Sequence, residues 1–158
     1  MKKSIGLLFL FGFVSCFGDD YRDYNYIPDI PISVTKNLNL PASNTLLVPG
    51  GFVVYPELGH RGVVVYRQHD DYFSAFDLAC PHIPLSECSK PMDFTNFPEF
   101  TNSCNSDGIF YNIALGGSMT YQKDEKGSHI SVKGKTYDMQ QYNVVLMGNG
   151  NELHIRNF

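Results

Sequence analysis

Residues 77–117 restrict most strongly how this chain can fold and what it can do. Two short loops in this stretch hold three of the four cysteines, together with one histidine and one aspartate. The candidate ligands are, in chain order, Cys80, His82, Cys88, Cys104 and Asp107. Zinc and iron–sulfur centres prefer sulfur and imidazole ligands, and residues close in sequence converge at little entropic cost. The stretch therefore predicts a metal site held between two loops.

The rest of the chain favours an all-β scaffold for these loops. Aromatic residues make up 14% of the sequence, with ten Tyr and twelve Phe, and glycines and prolines are frequent; this composition favours strands and turns. No stretch with helical spacing is long enough to predict a long helix. We predict strands at residues 52–55, 63–67, 72–76 and 109–113, a hairpin around Lys133-Gly134-Lys135, and a closing hairpin from 143 to 158. The expected fold is a small antiparallel sandwich or barrel with a two-loop metal-binding cap.

The N-terminus is typical of a bacterial lipoprotein signal peptide, which we place at residues 1–15. Lys2 and Lys3 precede an apolar run over residues 5–14, which is too short to span a bilayer as a helix. Ser15-Cys16 then resembles a lipobox, so Cys16 is predicted to carry the lipid. The alternative is an ordinary signal peptide with an incidental cysteine. The first interpretation places the protein in the cell envelope, anchored by lipid on the extracytoplasmic side of the membrane.

The mature chain is expected to have two parts. Residues 16–44 contain aspartates and prolines and are predicted to be an acidic, proline-rich tether, whereas residues 45–158 form the β domain with its cap at about 77–117. The net charge is −4. Because no cluster of Lys and Arg occurs beyond the extreme N-terminus, we expect no nucleic-acid partner.

Both loops resemble the two boxes of Rieske iron–sulfur domains. The first, F-D-L-A-C-P-H, resembles the C-x-H box, and the second, C-N-S-D-G-I-F-Y-N-I-A-L-G-G, resembles the box C-P-x-H-G-x-x-F. The strands before the first box and the closing hairpin fit as well, so the resemblance covers about residues 46–155. It implies a Rieske-type fold, a 2Fe–2S cluster and electron transfer to an unidentified extracytoplasmic partner. No attached catalytic domain is visible, so we do not expect an enzyme.

The resemblance also implies a ligand set. Cys80 and Cys104 would hold one iron and His82 the other, while Asp107 stands where the family has its second histidine. A carboxylate ligand adds negative charge to the site. The expected reduction potential is therefore below the range of about −150 to +300 mV that two histidines give.

Cys88 leaves several alternatives open. In respiratory Rieske proteins an additional cysteine pair forms a disulfide between the loops; Cys88 resembles the first member, but Ser106 stands at its partner's position. Three thiolates with His82 or Asp107 also suit tetrahedral zinc. A plain disulfide, Cys80–Cys88 or Cys88–Cys104, is the third possibility. The alternative function is thus a structural or binding lipoprotein with zinc or with no metal.

Overall fold

The computed structural model describes residues 27–132 and 138–157. Over these ranges the protein is mostly antiparallel β, which confirms the predicted all-β class. The strands are β1 (Ser33–Asn37), β2 (Phe52–Tyr55), β3 (Val63–His69), β4 (Tyr72–Asp77), β5 (Glu99–Thr101), β6 (Ile109–Asn112), β7 (Met119–Lys123), β8 (His129–Ile130), β9 (Gln141–Met147) and β10 (Glu152–Arg156). Two short 3₁₀ helices are described, at Pro41–Leu47 and Gly148–Gly150.

Six strands form a large sheet in the order β1-β10-β9-β4-β3-β2, which curls into half a barrel. All neighbouring pairs are antiparallel. β3 contains three consecutive valines because both of its faces are buried. Val63 and Val65 pack into one apolar cluster and Val64 into another, because successive side chains of a strand point to opposite faces. The sheet is therefore covered on both sides at β3.

The second sheet has the order β5-β6-β7-β8 and belongs to the cap. Phe100 of β5 and Tyr111 of β6 are fully buried, in the same cluster as Phe76 of β4. The cap is thus fastened to the large sheet by aromatic side chains, which bury more area per residue than other types. Cys80 and Cys88 belong to the same apolar cluster, so the core of the cap packs against the candidate site.

The segment predicted to be a tether, residues 16–44, contains β1 and the start of the first 3₁₀ helix. Ile32 and Leu38 are buried in the core, and β1 pairs with β10 along its whole length. The second half of the predicted tether, from Ile27 onward, is therefore part of the folded domain. The alternation over Ile30–Val34 predicts an edge strand here. β1 begins two residues after Pro31, and an edge strand tolerates proline near its start. Residues 1–26, including the predicted signal peptide and Cys16, lie outside the described residues.

The other strand predictions agree with the structure to within two residues. β2 has the predicted bounds, β3 is two residues longer, β4 one residue longer and β6 one residue shorter. The closing hairpin is β9–β10. The hairpin predicted around Lys133-Gly134-Lys135 lies outside the described residues. Among the residues that are described, no helix is long and apolar enough to cross a membrane.

Candidate functional site

Three of the predicted ligands meet where the first loop faces the segment before β6. The Cys80 Sγ lies 3.3 Å from Nδ1 of His82 and 3.8 Å from its Nε2. His82 Nε2 lies 2.7 Å from Oδ2 of Asp107. The sequence thus identified a real cluster, Cys80–His82–Asp107, that joins the two loops.

Cys104, the fourth predicted ligand, is bonded elsewhere. Its sulfur forms a disulfide with Cys88, with Cα atoms 5.8 Å apart and a sequence separation of 16. This is one of the two disulfides considered from the sequence. Cys80 is the free cysteine of the described residues. Since a disulfide sulfur is no thiolate, Cys104 in this state offers no charge-bearing ligand.

Both ring nitrogens of His82 are engaged by protein groups. Nδ1 lies 2.5 Å from the Tyr111 hydroxyl, and the two rings are stacked with centroids 5.9 Å apart. Nε2 faces the Asp107 carboxylate. Because a carboxylate only accepts, Nε2–H donates to Asp107, and the Tyr111 hydroxyl is the partner of Nδ1. The hydrogen bonds fix the orientation of the imidazole.

Asp107 receives further donors from its own loop. The Asn102 side-chain amide donates to Oδ2 at 2.9 Å, and the Ile109 N–H donates to Oδ1 at 2.9 Å. Burial by itself raises the pKa of Asp107, but the hydrogen bonds from Asn102, Ile109 and His82 outweigh it, and the net pKa lies below the ordinary value. The carboxylate is therefore ionised at neutral pH and satisfied by protein donors.

Cys80 is only 4% exposed. Burial raises the pKa of its thiol to about 12; the neighbouring Asp107 charge adds to the rise, and a backbone hydrogen bond from His82 opposes it. At neutral pH the sulfur is a protonated thiol. It is consequently a weak nucleophile despite its contact with an imidazole, because the thiolate is the reactive form.

These arrangements do not fit the group that the resemblance implies. A Rieske cluster takes two thiolates and two imidazoles. Here Cys104 is in a disulfide, Cys80 is a buried thiol and both nitrogens of His82 are occupied. Nor does any group of three or more His, Cys, Asp or Glu within residues 27–132 and 138–157 have the arrangement of a metal site. The geometry suits neither a 2Fe–2S cluster nor tetrahedral zinc.

Asn102 links the disulfide to the His82–Asp107 pair, a role that no motif of the sequence indicates. Its Oδ1 accepts from the Cys104 N–H at 2.9 Å and lies 3.8 Å from Cys88 Sγ. Its Nδ2 donates to Asp107 and to the Asn105 side chain. The buried side chain of Asn102 therefore connects the Cys88–Cys104 disulfide to the His82–Asp107 hydrogen bond, and both of these join the two loops.

Asp77 is the second residue that sequence analysis missed. It is fully buried, and its carboxylate accepts from the His60 N–H at 2.7 Å, the Ala79 N–H at 2.8 Å and the Tyr142 hydroxyl at 2.8 Å. The Arg61 N–H is a fourth donor at 3.3 Å. This carboxylate joins the β2–β3 turn, the start of the first loop and β9.

The β2–β3 turn is shaped for this contact. Gly59 has φ +67°, and a Cβ there would come within 2.3 Å of Asp77 Oδ2, so glycine is needed for close approach. Next to it, the Arg61 guanidinium donates to the carbonyls of Leu85 at 2.9 Å and Cys88 at 3.2 Å. Arg61 thus fastens the far end of the first loop. An aspartate as the last residue of a buried strand is the sequence signal that could have indicated this junction.

A scan against protein-family models, a search of the curated proteins and a search of the solved structures each found no match. The resemblance of the two loops to the Rieske boxes stays a prediction drawn from the residues themselves.

Proposed function

We propose that this chain is a lipid-anchored structural or binding protein of the bacterial cell envelope, in which a Rieske-like pair of loops works without a metal. The Cys88–Cys104 disulfide supports this proposal most directly, because it consumes the sulfur that iron would require at the second loop. The hydrogen bonds of His82 and Asp107 support it further, since they satisfy both groups with protein partners. The anchor and the envelope location follow from the lipobox pattern ending at Cys16.

In this proposal the two loops form a rigid binding surface for an extracytoplasmic protein partner. The disulfide, the Arg61 contacts with Leu85 and Cys88, and the His82–Asp107 pair each restrain the loops against one another or against the sheet. A surface that is already ordered loses less conformational entropy on binding. The buried, protonated Cys80 fills space in the cap core and takes no part in chemistry.

Metal and thiol analysis tests this function. Protein purified without oxygen is expected to be colourless, with no stoichiometric iron, sulfide or zinc. In a Cys16→Ser chain, one thiol should react in denaturant before reduction and three after it. In the native state Cys80 should resist alkylation, because its thiol is buried and protonated. A brown protein with iron and sulfide in equal amounts would instead establish the electron-transfer function.

A matched pair of variants separates the alternatives. Cys88→Ser and Cys104→Ser break the same disulfide, so the proposed function expects nearly equal losses of stability from the two. If Cys104 holds a 2Fe–2S cluster, Cys104→Ser removes the iron and Cys88→Ser retains it; if both cysteines hold zinc, each variant loses the zinc. Metal bound by the wild type and lost from either variant would therefore refute the metal-free proposal.

A further inference from the structure

Strands β4 and β9 separate near the start of β4, and a groove opens between them. Within the described residues their pairing ends where Ala75 meets Tyr142. The groove has a volume of about 680 Å³, with residues 71–73 as one wall and residues 141–144 as the other. This volume lies in the range of about 300–1,000 Å³ that is usual for small-molecule sites. The first cap loop follows the other end of β4, so the groove is separate from the candidate site.

The separation of the strands leaves main-chain groups facing the groove. The Asp77 N–H donates to the carbonyl that precedes β9 at 2.8 Å, and in an antiparallel ladder such bonded pairs recur at every second residue. Ala75 and Tyr142 form the next bonded pair. Phe73 and Val144 would form the third, and this pair is not made. The Val144 N–H and the Phe73 C=O therefore face the groove without a partner in the described part of the chain.

The polar side chains of the groove are mostly uncharged. Gln141 and Asn143 are exposed on β9, and each has an amide group. Gln141 uses its Nε2 on the Gly116 carbonyl at 3.2 Å, which leaves its Oε1 as an acceptor. Among the described lining residues Asp71 is the charged one, and Lys and Arg are absent from them. An anionic ligand would therefore find no positive side chain there.

Tyr72 adds an aromatic surface to this polar groove. Its side chain lines the groove and is 64% exposed. The ring is stacked on His69, with the ring centroids 5.2 Å apart and the planes 21° from parallel. The imidazole thus supports one face of the phenol ring. A tyrosine ring offers an apolar face and a polar hydroxyl in one side chain.

We propose that the groove between β4 and β9 binds a neutral saccharide. Each sugar hydroxyl both donates and accepts, so neighbouring hydroxyls of one ring can accept from the Val144 N–H and donate to the Phe73 C=O. The Asn143 amide supplies a further donor and acceptor. The apolar C–H face of a pyranose ring then stacks on Tyr72. This site uses no residue of the cap loops and is independent of the function proposed for them.

Titration followed by NMR tests the groove. A nitrogen-labelled Cys16→Ser chain is titrated with maltotriose, cellotriose and triacetylchitotriose, which share pyranose hydroxyls and differ in linkage and acetylation. At least one of them should shift the Val144 amide resonance and slow its hydrogen exchange, because this N–H gains an acceptor. An open groove that makes few hydrogen bonds binds weakly, so the expected dissociation constant is about 1 mM. Trialanine, which has amides and no hydroxyl, should leave the resonance unchanged.

Variants of two exposed residues separate stacking from hydrogen bonding. Tyr72→Ala should raise the dissociation constant about tenfold, whereas Tyr72→Phe, which keeps the ring, should change it by less than about twofold. Asn143→Ala should raise it about fivefold. Asn96→Ala, at an exposed asparagine of the cap, is the matched control and should leave binding unchanged. The amide spectrum of each variant shows whether it folds like the wild type.

Three results would overturn the proposal. The first is an unchanged Val144 resonance with every saccharide at about 20 mM. The second is a larger response to trialanine than to any saccharide, which would assign the groove to peptides. The third is saccharide binding that is unaffected by both Tyr72→Ala and Asn143→Ala. Metal and thiol analysis decides the function of the cap loops separately, so the two proposals can fail independently.

Discussion

Asp77 and Asp107 are two carboxylates with the same kind of hydrogen-bonding shell and different positions in the fold. Asp77 is fully buried and accepts from three main-chain N–H groups and one tyrosine. The Asp107 side chain is 22% exposed and accepts from His82, Asn102 and one main-chain N–H. Asp77 connects three segments of the large sheet and its turns, whereas Asp107 connects the two cap loops. Asp107, the aspartate beside the cysteine motif, therefore holds together fewer segments of the fold than Asp77 does.

Removing the buried carboxylate of Asp77 should cause the largest loss in the free energy of unfolding. Asp77→Ala leaves several buried donors without an acceptor, and each such group costs about 1–3 kcal/mol. We expect a loss of about 4 kcal/mol in the free energy of unfolding, measured by urea titration, or failure to fold. Asp107→Ala, at the more exposed site, is the matched control and should lose about half as much. Equal losses from the two variants would remove the distinction between the carboxylates.

Breaking the Cys88–Cys104 disulfide should cause the second largest loss of stability. Closing a loop of about this length stabilises a protein by roughly 3 kcal/mol through the unfolded chain. The Cys88→Ala/Cys104→Ala double variant should lose about that much. The damage should stay in the cap: amide exchange should rise in both loops while the Asp77 junction keeps its protection. Faster exchange at His60 and Ala79 would show that the two regions are not independent.

The sequence predicted the scaffold well because its signals were local. Val63-Val64-Val65 is a buried strand on composition alone, and the turns between β3 and β4 and between β9 and β10 contain the expected residues. Residues 27–44 were predicted less accurately, as a tether with an edge strand at Ile30–Val34. Their place in the folded domain depends on the pairing of β1 with β10, in which Ser33 lies opposite Arg156, and a contact so distant in sequence leaves no local signal.

At the candidate site, the sequence predicted which residues converge but not their bonding state. Cys80, His82 and Asp107 do meet. Which cysteine joins Cys88 depends on sub-ångström placement of Cβ atoms, and spacing cannot supply that. Asp77 was not predicted because His60, Arg61 and Tyr142, which donate to it, are distant in sequence. Asn102 was not predicted because its role depends on where Cys88 and Asp107 lie in the folded chain.

Neutralising Asp107 should have a smaller effect that depends on pH. Asp107→Asn keeps the shape and removes the charge that strengthens the hydrogen bonds from His82 and Asn102, so about 1 kcal/mol of stability should be lost at pH 7. The folded-state pKa is lowered. The contribution is therefore present above the ordinary aspartate value of about 3.9 and lost as pH falls below it. Unfolding measured at pH 7 and pH 3 should show the difference between variant and wild type shrinking at the lower pH. If the difference in stability is the same at both pH values, the charge of Asp107 is not its cause.

Tyr142→Phe should be the smallest of these changes and tests the Asp77 junction alone. It removes one of four hydrogen bonds to the carboxylate and leaves the aromatic ring in place, so we expect a loss of about 1 kcal/mol. In the wild type, burial, the charge of Asp77 and the hydrogen bond to it all raise the pKa of Tyr142. The folded state thus holds this proton more tightly than the unfolded chain, whose tyrosines titrate near 10. Its contribution is complete below pH 10 and falls as the pH rises above that value. Urea unfolding at pH 8 and pH 10.5 should therefore show the variant and the wild type converging at the higher pH; parallel behaviour would mean that Asp77 does not depend on this hydroxyl.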